Sequence, residues 1–489
     1  MLFSFNKHFK MIVCLLLCAS MFCSCGVIVF NTPQDTDNTE ETESSLETKE
    51  PYEVEEYDPY YSKFDENFQD FMLDISNSDY NGGTFLIANM KEPLIIGDEN
   101  SSPIISQEYE YRNAYVEQKL NIRLAEKIVD PDTMYNEIRQ AIKSSTYYAD
   151  LILLPQEKIG EYSVEGLIAN MSGLPGIKFD ADYYNSTSVA SAGGNSKIFG
   201  VAGDACASYD SHSAVFFNKT LLSQLTDENL YKIVDSGSWT WSKFLGYADS
   251  VSGLGEGYYS VGYQNTAEYI QDLIFISSGM QFTTCEYGQM PQIAFDAETA
   301  NPVVDVIKSV INHPSKFAND EEAIANFANG NTLFLIEKLN TMETLSTSQA
   351  DWGIVPLPKY SEEQENYRSL VSAENAMFFA MVPTVSDSQK IADVLAMINI
   401  SSYKETPDAI ANDAMSYYLR DNASTKNVAR ILNSAVYDLA YSFSSESKAI
   451  SNATYNNIRN ASIGKSSVKS YLKSWSRSFD IAMNKVFEN

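Results

Sequence analysis

Between residues 83 and 154 the chain carries five strand and helix signals in alternation, and that order leaves few folds open. Gly83 to Asn89 (GTFLIAN) follows the Asn81-Gly82-Gly83 break and reads as a short buried strand. Val116 and Leu120 lie four apart, as on one helical face. Ile122, Leu124, Glu126 and Ile128 follow with the period of two that a strand imposes. Asp130-Pro131-Asp132 is a stop and a helix cap, and Met134, Ile138, Ala141 and Ile142 mark the face of the helix it opens. Leu151 to Leu154 is a continuous apolar run closed by Pro155, as expected of a strand covered on both faces. Strand, helix, strand, helix, strand implies a parallel sheet joined by right-handed crossovers. The N-terminal part is therefore expected to be an α/β lobe.

Further on, Phe199-Gly200-Val201-Ala202 opens a second region, and Ala214 to Phe217 is a strand candidate. Ser238 is expected to cap the helix that starts in SWTWSKF, with Trp239 and Trp241 in its packing face. Pro302 to Ile311 and Glu321 to Phe327 read as helices. Gly330-Asn331 turns into the strand Thr332 to Ile336, and Trp352 to Pro358 is held extended by its prolines. Phe378 to Val382 is another strand and Ile391 to Ile400 another helix. From Ala409 to Phe487 the pattern is mostly helical, and no internal repeat is present.

The first residues bear on location. Lys7, His8 and Lys10 precede an uncharged run from Met11 to Phe30 that contains Phe22-Cys23-Ser24-Cys25-Gly26. A basic start, an apolar stretch and small residues at a cut are the marks of an export leader. The arrangement resembles a bacterial lipoprotein signal, with residues 1–24 removed and lipid on Cys25. Phe22 stands where that signal usually has Leu, and Val27 to Phe30 extend the apolar run to about the length of a span, so an uncleaved N-terminal anchor is the alternative. Residues 31–70 carry 14 Asp or Glu against Lys49 and Lys63. Residues 25–80 are accordingly expected to be a disordered, charge-extended spacer.

Of the net charge of −31, the leader contributes +2, residues 31–70 contribute −12 and the remainder −21. An acidic body speaks against nucleic acid, whose affinity comes from Lys and Arg on phosphates. Of the six cysteines only Cys206 and Cys285 lie beyond the leader; one disulfide and two separate thiols are both open. His212 and His313 are the only histidines there, which argues against a His-based metal site. The chain has no H-E-x-x-H, G-x-S-x-G or G-x-x-x-x-G-K-[ST]. Gly253 to Gly257 is a turn rather than a phosphate loop, and Tyr184 and Asn185 spoil the calcium-loop hint of Asp180-Ala181-Asp182. No cofactor, no metal and no catalysis are expected; a glycosidase carboxylate pair is the remaining enzymatic reading.

Four stretches carry a resemblance: NSKIFGVAGDACASYDSHSAVFFNKTLL, SGSWTWSKF, EEAIANFANGNTLFLIE and DWGIVPLPKY. In this order and spacing, from about residue 80 to 480, the chain resembles the maltose-binding-like family 1 of extracellular solute-binding proteins, the lipoprotein components of bacterial ABC sugar importers. The resemblance implies a two-lobed α/β architecture, the type II periplasmic-binding-protein fold, with an interlobe hinge and a ligand cleft. Lobe one would comprise 81–200 with 354–405, and lobe two 205–350 with 406–489. It also implies a monomer, a carbohydrate ligand and delivery to ABC permease subunits from the outer face of the cytoplasmic membrane. A surface protein that holds or senses glycan without import is the alternative, and a peptide or polyol ligand stays open.

Sugar recognition needs carboxylates and amides for hydroxyl edges and aromatic rings for apolar faces. Tyr209, Asp210 and His212 just precede the Ala214 strand, where the resemblance places the first crossing between lobes. Tyr183 and Tyr184 stand where related lipoproteins have aromatic pairs. Glu337 and Lys338 end the Thr332 strand, near the family's second-lobe contacts, and Glu374 and Asn375 lie in the return to lobe one. The maltose-binding member has a stacking Trp just beyond the Thr332 strand; this chain has Asn340.

Overall fold

The structure, a computed structural model, describes residues 59–71, 75, 78–91, 93–97, 101–264 and 269–488. The leader and Cys25 lie outside them. The strands that position the site are β1 (Gly83–Asn89), β2 (Ile122–Ile128), β3 (Leu151–Pro155), β4 (Ser213–Asn218), β5 (Tyr259–Tyr263), β6 (Thr332–Lys338), β7 (Trp352–Val355), β8 (Ser369–Leu370), β9 (Met377–Ala380) and β10 (Ala435–Val436). They build two four-stranded sheets, in the orders β9-β3-β1-β2 and β7-β4-β6-β5.

In the first sheet β1 is parallel to both β2 and β3, and β9 joins antiparallel to β3. The local chemistry accounts for the crossover helices. Ser102 caps Pro103–Leu120 by accepting from Ile105 N, and Asn121 ends that helix in the left-handed conformation (φ 48°). Asp130 accepts from Thr133 N to start Pro131–Ser144, and Ser145 (φ 54°) ends it. Leu151 to Leu154 are fully buried, as a strand with helices on both faces requires.

In the second sheet β6 is parallel to β5 and antiparallel to β4, while β7 is antiparallel to β4. Alternate residues of β4 face different cores: Ala214 and Phe216 pack with Trp352, Ile410 and Val428, and Val215 and Phe217 join the larger core shared with the first sheet. Trp239 and Trp241 are fully buried; Trp239 Nε1 donates to Pro356 O and Trp241 Nε1 to Ser277 Oγ. The C-terminal helices attach through Asp272, fully buried in the first turn of Ile270–Ser277, which pairs with Arg459 and accepts from the Tyr441 hydroxyl at 2.7 Å.

Several expectations need correction. Thr240, not Ser238, caps the helix Trp241–Ser250. The helix expected from Pro302 begins at Ala297, because Asp296 forms a capping box with Thr299, and Pro302 lies inside it. The return to lobe one expected at 354 falls within β7, which is bonded to β4 through Val355; the chain regains the first sheet only at β9. The spacer expected to run to residue 80 contains a helix, Pro59–Phe71. Its Phe64, Phe68 and Phe71 recur at helical spacing; Phe64 is fully buried in the core, with the other two packed against it. Asp65 fixes that helix by accepting from the Tyr115 hydroxyl at 2.7 Å and from Lys119 at 2.8 Å. The average acidity of the segment concealed this apolar stripe. Cys206 and Cys285 are separate thiols, the first buried and the second half-buried.

Candidate functional site

Three of the stretches of chain that connect the sheets lie side by side. The first is the turn Tyr209–Ser211 leading into β4, the second runs from β8 to β9, and the third passes through β10. His212 bridges antiparallel to Val371, and β8 pairs in parallel with β10. The carboxyl ends of the parallel strands of both sheets point toward these crossings, the place where open α/β sheets receive ligands.

The bonds that join the strand ends are specific. Lys91, just beyond β1, donates from Nζ to Asn375 Oδ1 at 2.7 Å, and Asn375 Nδ2 donates to the Asp210 carbonyl at 3.0 Å. Asn375 is thus oriented from both ends. Ser372 N donates to Ser211 O at 2.8 Å, and Lys338 Nζ reaches Ser372 Oγ at 3.3 Å. Leu339 N donates to His212 O at 2.8 Å. On the first-sheet side, Gln156 N donates to Ala376 O and Glu157 N to Ala373 O, which fixes the return segment on the end of β3. Asp210, Lys338 and Asn375 therefore converge, together with Lys91, which sequence reasoning missed. The available signal was a lysine directly following a buried parallel strand.

The other candidates are placed differently. The carboxylate of Asp210 makes no hydrogen bond or ion pair among the described residues, and Glu374 beside Asn375 is exposed. Glu337 is 8% exposed and accepts from Gln264 N at 2.7 Å, so it joins the ends of β6 and β5. Burial raises its carboxyl to about 7, against the lowering effect of the backbone donors and of Lys338. The Tyr209 hydroxyl donates to Ile410 O at 2.5 Å and lies 3.1 Å from Asp413 Oδ2, which bolts the first crossing to the helix Glu405–Tyr417. Tyr183 and Tyr184 are each 2% exposed. Their rings pack against each other at a tilt of 56° with centroids 4.5 Å apart, and Tyr183 meets Phe71 edge-on at 4.7 Å. Both are core residues here and offer no open ring face. Tyr269, five residues past Gln264, is exposed, but its ring lies under the Arg459 guanidinium at 3.9 Å.

His212 is buried and its pKa falls to about 4 through that burial, so it is neutral near pH 7. Its Nδ1 faces Ser211 Oγ and Ser208 O, and Nε2 has no partner among the described residues. Among the described residues no group of three or more His, Cys, Asp or Glu is placed to hold a metal ion, and no helix is long and apolar enough to cross a membrane. The converging groups are ammonium and amide donors alternating with carboxylate and carbonyl acceptors, which suits a ligand rich in hydroxyls.

No family model matches the chain, and no curated protein is similar to it in sequence. Solved structures are similar in fold. A cyclo/maltodextrin-binding protein complexed with maltotetraose matches at 13% identity with a TM-score of 0.53, over 82% of this chain and 97% of its own. The cyclic alpha-maltosyl-1,6-maltose binding protein from Arthrobacter globiformis matches at 12% identity and a TM-score of 0.52, over 82% and 98%. A family 1 extracellular solute-binding protein from Bifidobacterium longum subsp. infantis matches at 15% identity and a TM-score of 0.51, over 82% and 100%. The chain has the two-lobed α/β fold of the extracellular solute-binding proteins, as the sequence resemblance implied.

Proposed function

We propose that this protein is an extracellular solute-binding protein that captures a carbohydrate, an oligosaccharide in our reading, between two lobes and delivers it to an ABC permease. It performs no chemistry. The observation that carries this is the convergence of Lys91, Asp210, Lys338 and Asn375 where the carboxyl ends of both sheets meet the crossings. Sugar-binding proteins among the structures of like fold support the same reading. Lobe one comprises the sheet β9-β3-β1-β2 and lobe two the sheet β7-β4-β6-β5, so the second crossing lies between β7 and β9. Glu374 is a further contact at the cleft, and Glu337 positions the end of β6.

Capture works by closure: a ligand that bonds groups of both lobes favours the closed arrangement by its differential affinity, and a permease that reads the closed form responds only to loaded protein. Lipid on Cys25 tethers the protein, as a monomer, to the outer face of the cytoplasmic membrane.

A thermal-shift screen against mono- and oligosaccharides tests the reading. A ligand at about a hundred times its dissociation constant adds about 2.7 kcal/mol to stability. One glycan class should raise the midpoint, and Asn375→Ala should remove the shift. No shift with any sugar, from a sample proved folded by circular dichroism, overturns the carbohydrate assignment.

A further inference from the structure

A cavity of about 790 Å³ lies beside β8 and β10, and none of Lys91, Asp210, Lys338 or Asn375 lines it. Its walls come from both sides of the crossings. Thr187 precedes the first crossing, Asp235, Tyr367 and Arg368 lie between the first and second, and Arg430 and Asn433 lead into the third.

Two guanidiniums share this cavity and differ in how they are matched. Arg430 pairs with Asp235 at 2.6 Å and donates to Asn427 Oδ1. Arg368 donates from Nη1 to the Gly279 carbonyl at 2.8 Å, and among the described residues no carboxylate lies within ion-pair distance of it. Burial holds its pKa below the ordinary value, with Asp438 acting the other way. The Asp438 carboxylate is itself occupied by Phe282 N, Thr283 N, Thr283 Oγ1 and Ala440 N. Glu365, on the same wall, is exposed and not paired with Arg368. A guanidinium with unused donors in a roomy polar cavity matches the planar geometry of a carboxylate. The amide of the exposed Asn433, on the same wall, suits the hydroxyls of a sugar.

We propose that this cavity is a second ligand site, that it takes a sugar acid of hexuronate type, and that the carboxylate of that ligand sits on Arg368. Because its walls lie on both sides of the crossings, an occupant bears on the hinge as well as on its own site.

The test is calorimetric titration of the full chain with D-galacturonate and D-glucuronate, and with galactose and glucose as the uncharged controls. A uronate should bind where its neutral hexose does not, and Arg368→Gln should weaken it at least tenfold. Asn433→Trp, on the cavity rim and clear of the core, should weaken it too, which keeps the test open if Arg368→Gln fails to fold. No binding of either uronate at 10 mM, roughly the weak limit of useful affinity, overturns the proposal. So does uronate binding that both variants leave unchanged.

Discussion

Glu337→Gln is expected to stabilise the protein at neutral and alkaline pH and to leave it unchanged in mild acid. The carboxyl is buried and its pKa stands at about 7 rather than the ordinary 4.5. A group raised in the folded state holds its proton more tightly there than in the unfolded chain. Its full stability contribution is therefore present below about pH 4.5 and is lost as the pH climbs to about 7. At about 1.36 kcal/mol per pH unit the loss is on the order of 3 kcal/mol. Glutamine removes the titration and keeps an oxygen to accept from Gln264 N, which now bonds at 2.7 Å. The variant should thus gain up to about 3 kcal/mol over the parent at pH 8, or about 3–4 °C in midpoint for a body of this size. Urea and thermal denaturation of both proteins from pH 4.5 to 8 provide the assay. The other raised carboxyls, such as Asp438 at about 6, are common to both and cancel in the difference. A stability difference independent of pH refutes the reasoning, and so does a variant less stable than the parent at pH 8.

Arg459→Met leaves the fully buried Asp272 without its cation and should destabilise by about 3–5 kcal/mol, read as a lowered urea midpoint; Arg459→Met with Asp272→Leu should recover most of the loss. Cys206 is buried and its thiol is pushed up to about 12. It should resist a thiol reagent at pH 8 in the native protein and react on unfolding, and rapid native labelling at Cys206 contradicts the packing described.

The elements legible in the sequence were those whose signals are local. Asp130, the period of two from Ile122 to Ile128, and the run Leu151 to Leu154 each state their structure within a few residues, and β1, β2 and β3 lie where they imply. The antiparallel pairing of Met377–Ala380 with Leu151–Pro155 joins residues more than two hundred apart, and no local pattern encodes it. The helix Pro59–Phe71 was hidden for a different reason: averaged charge outweighed three phenylalanines on one face. Asp210, Lys338 and Asn375 could be singled out because strand ends and crossings are sequence features, and the structure brings them near one another. The burial of Tyr183 and Tyr184 was not, since it depends on Phe71 arriving from a distant segment.

The lateral bonds between the crossings limit how the protein can move. His212 is bridged to Val371, and β8 to β10, so the three connections form a ribbon rather than three independent strings. Three unbonded tethers would permit twist, slide and swing alike, whereas twisting or sliding here would break those bridges. On the proposed reading, fewer degrees of freedom would be quenched when the lobes close, and more of the contact energy with a captured solute would appear as affinity.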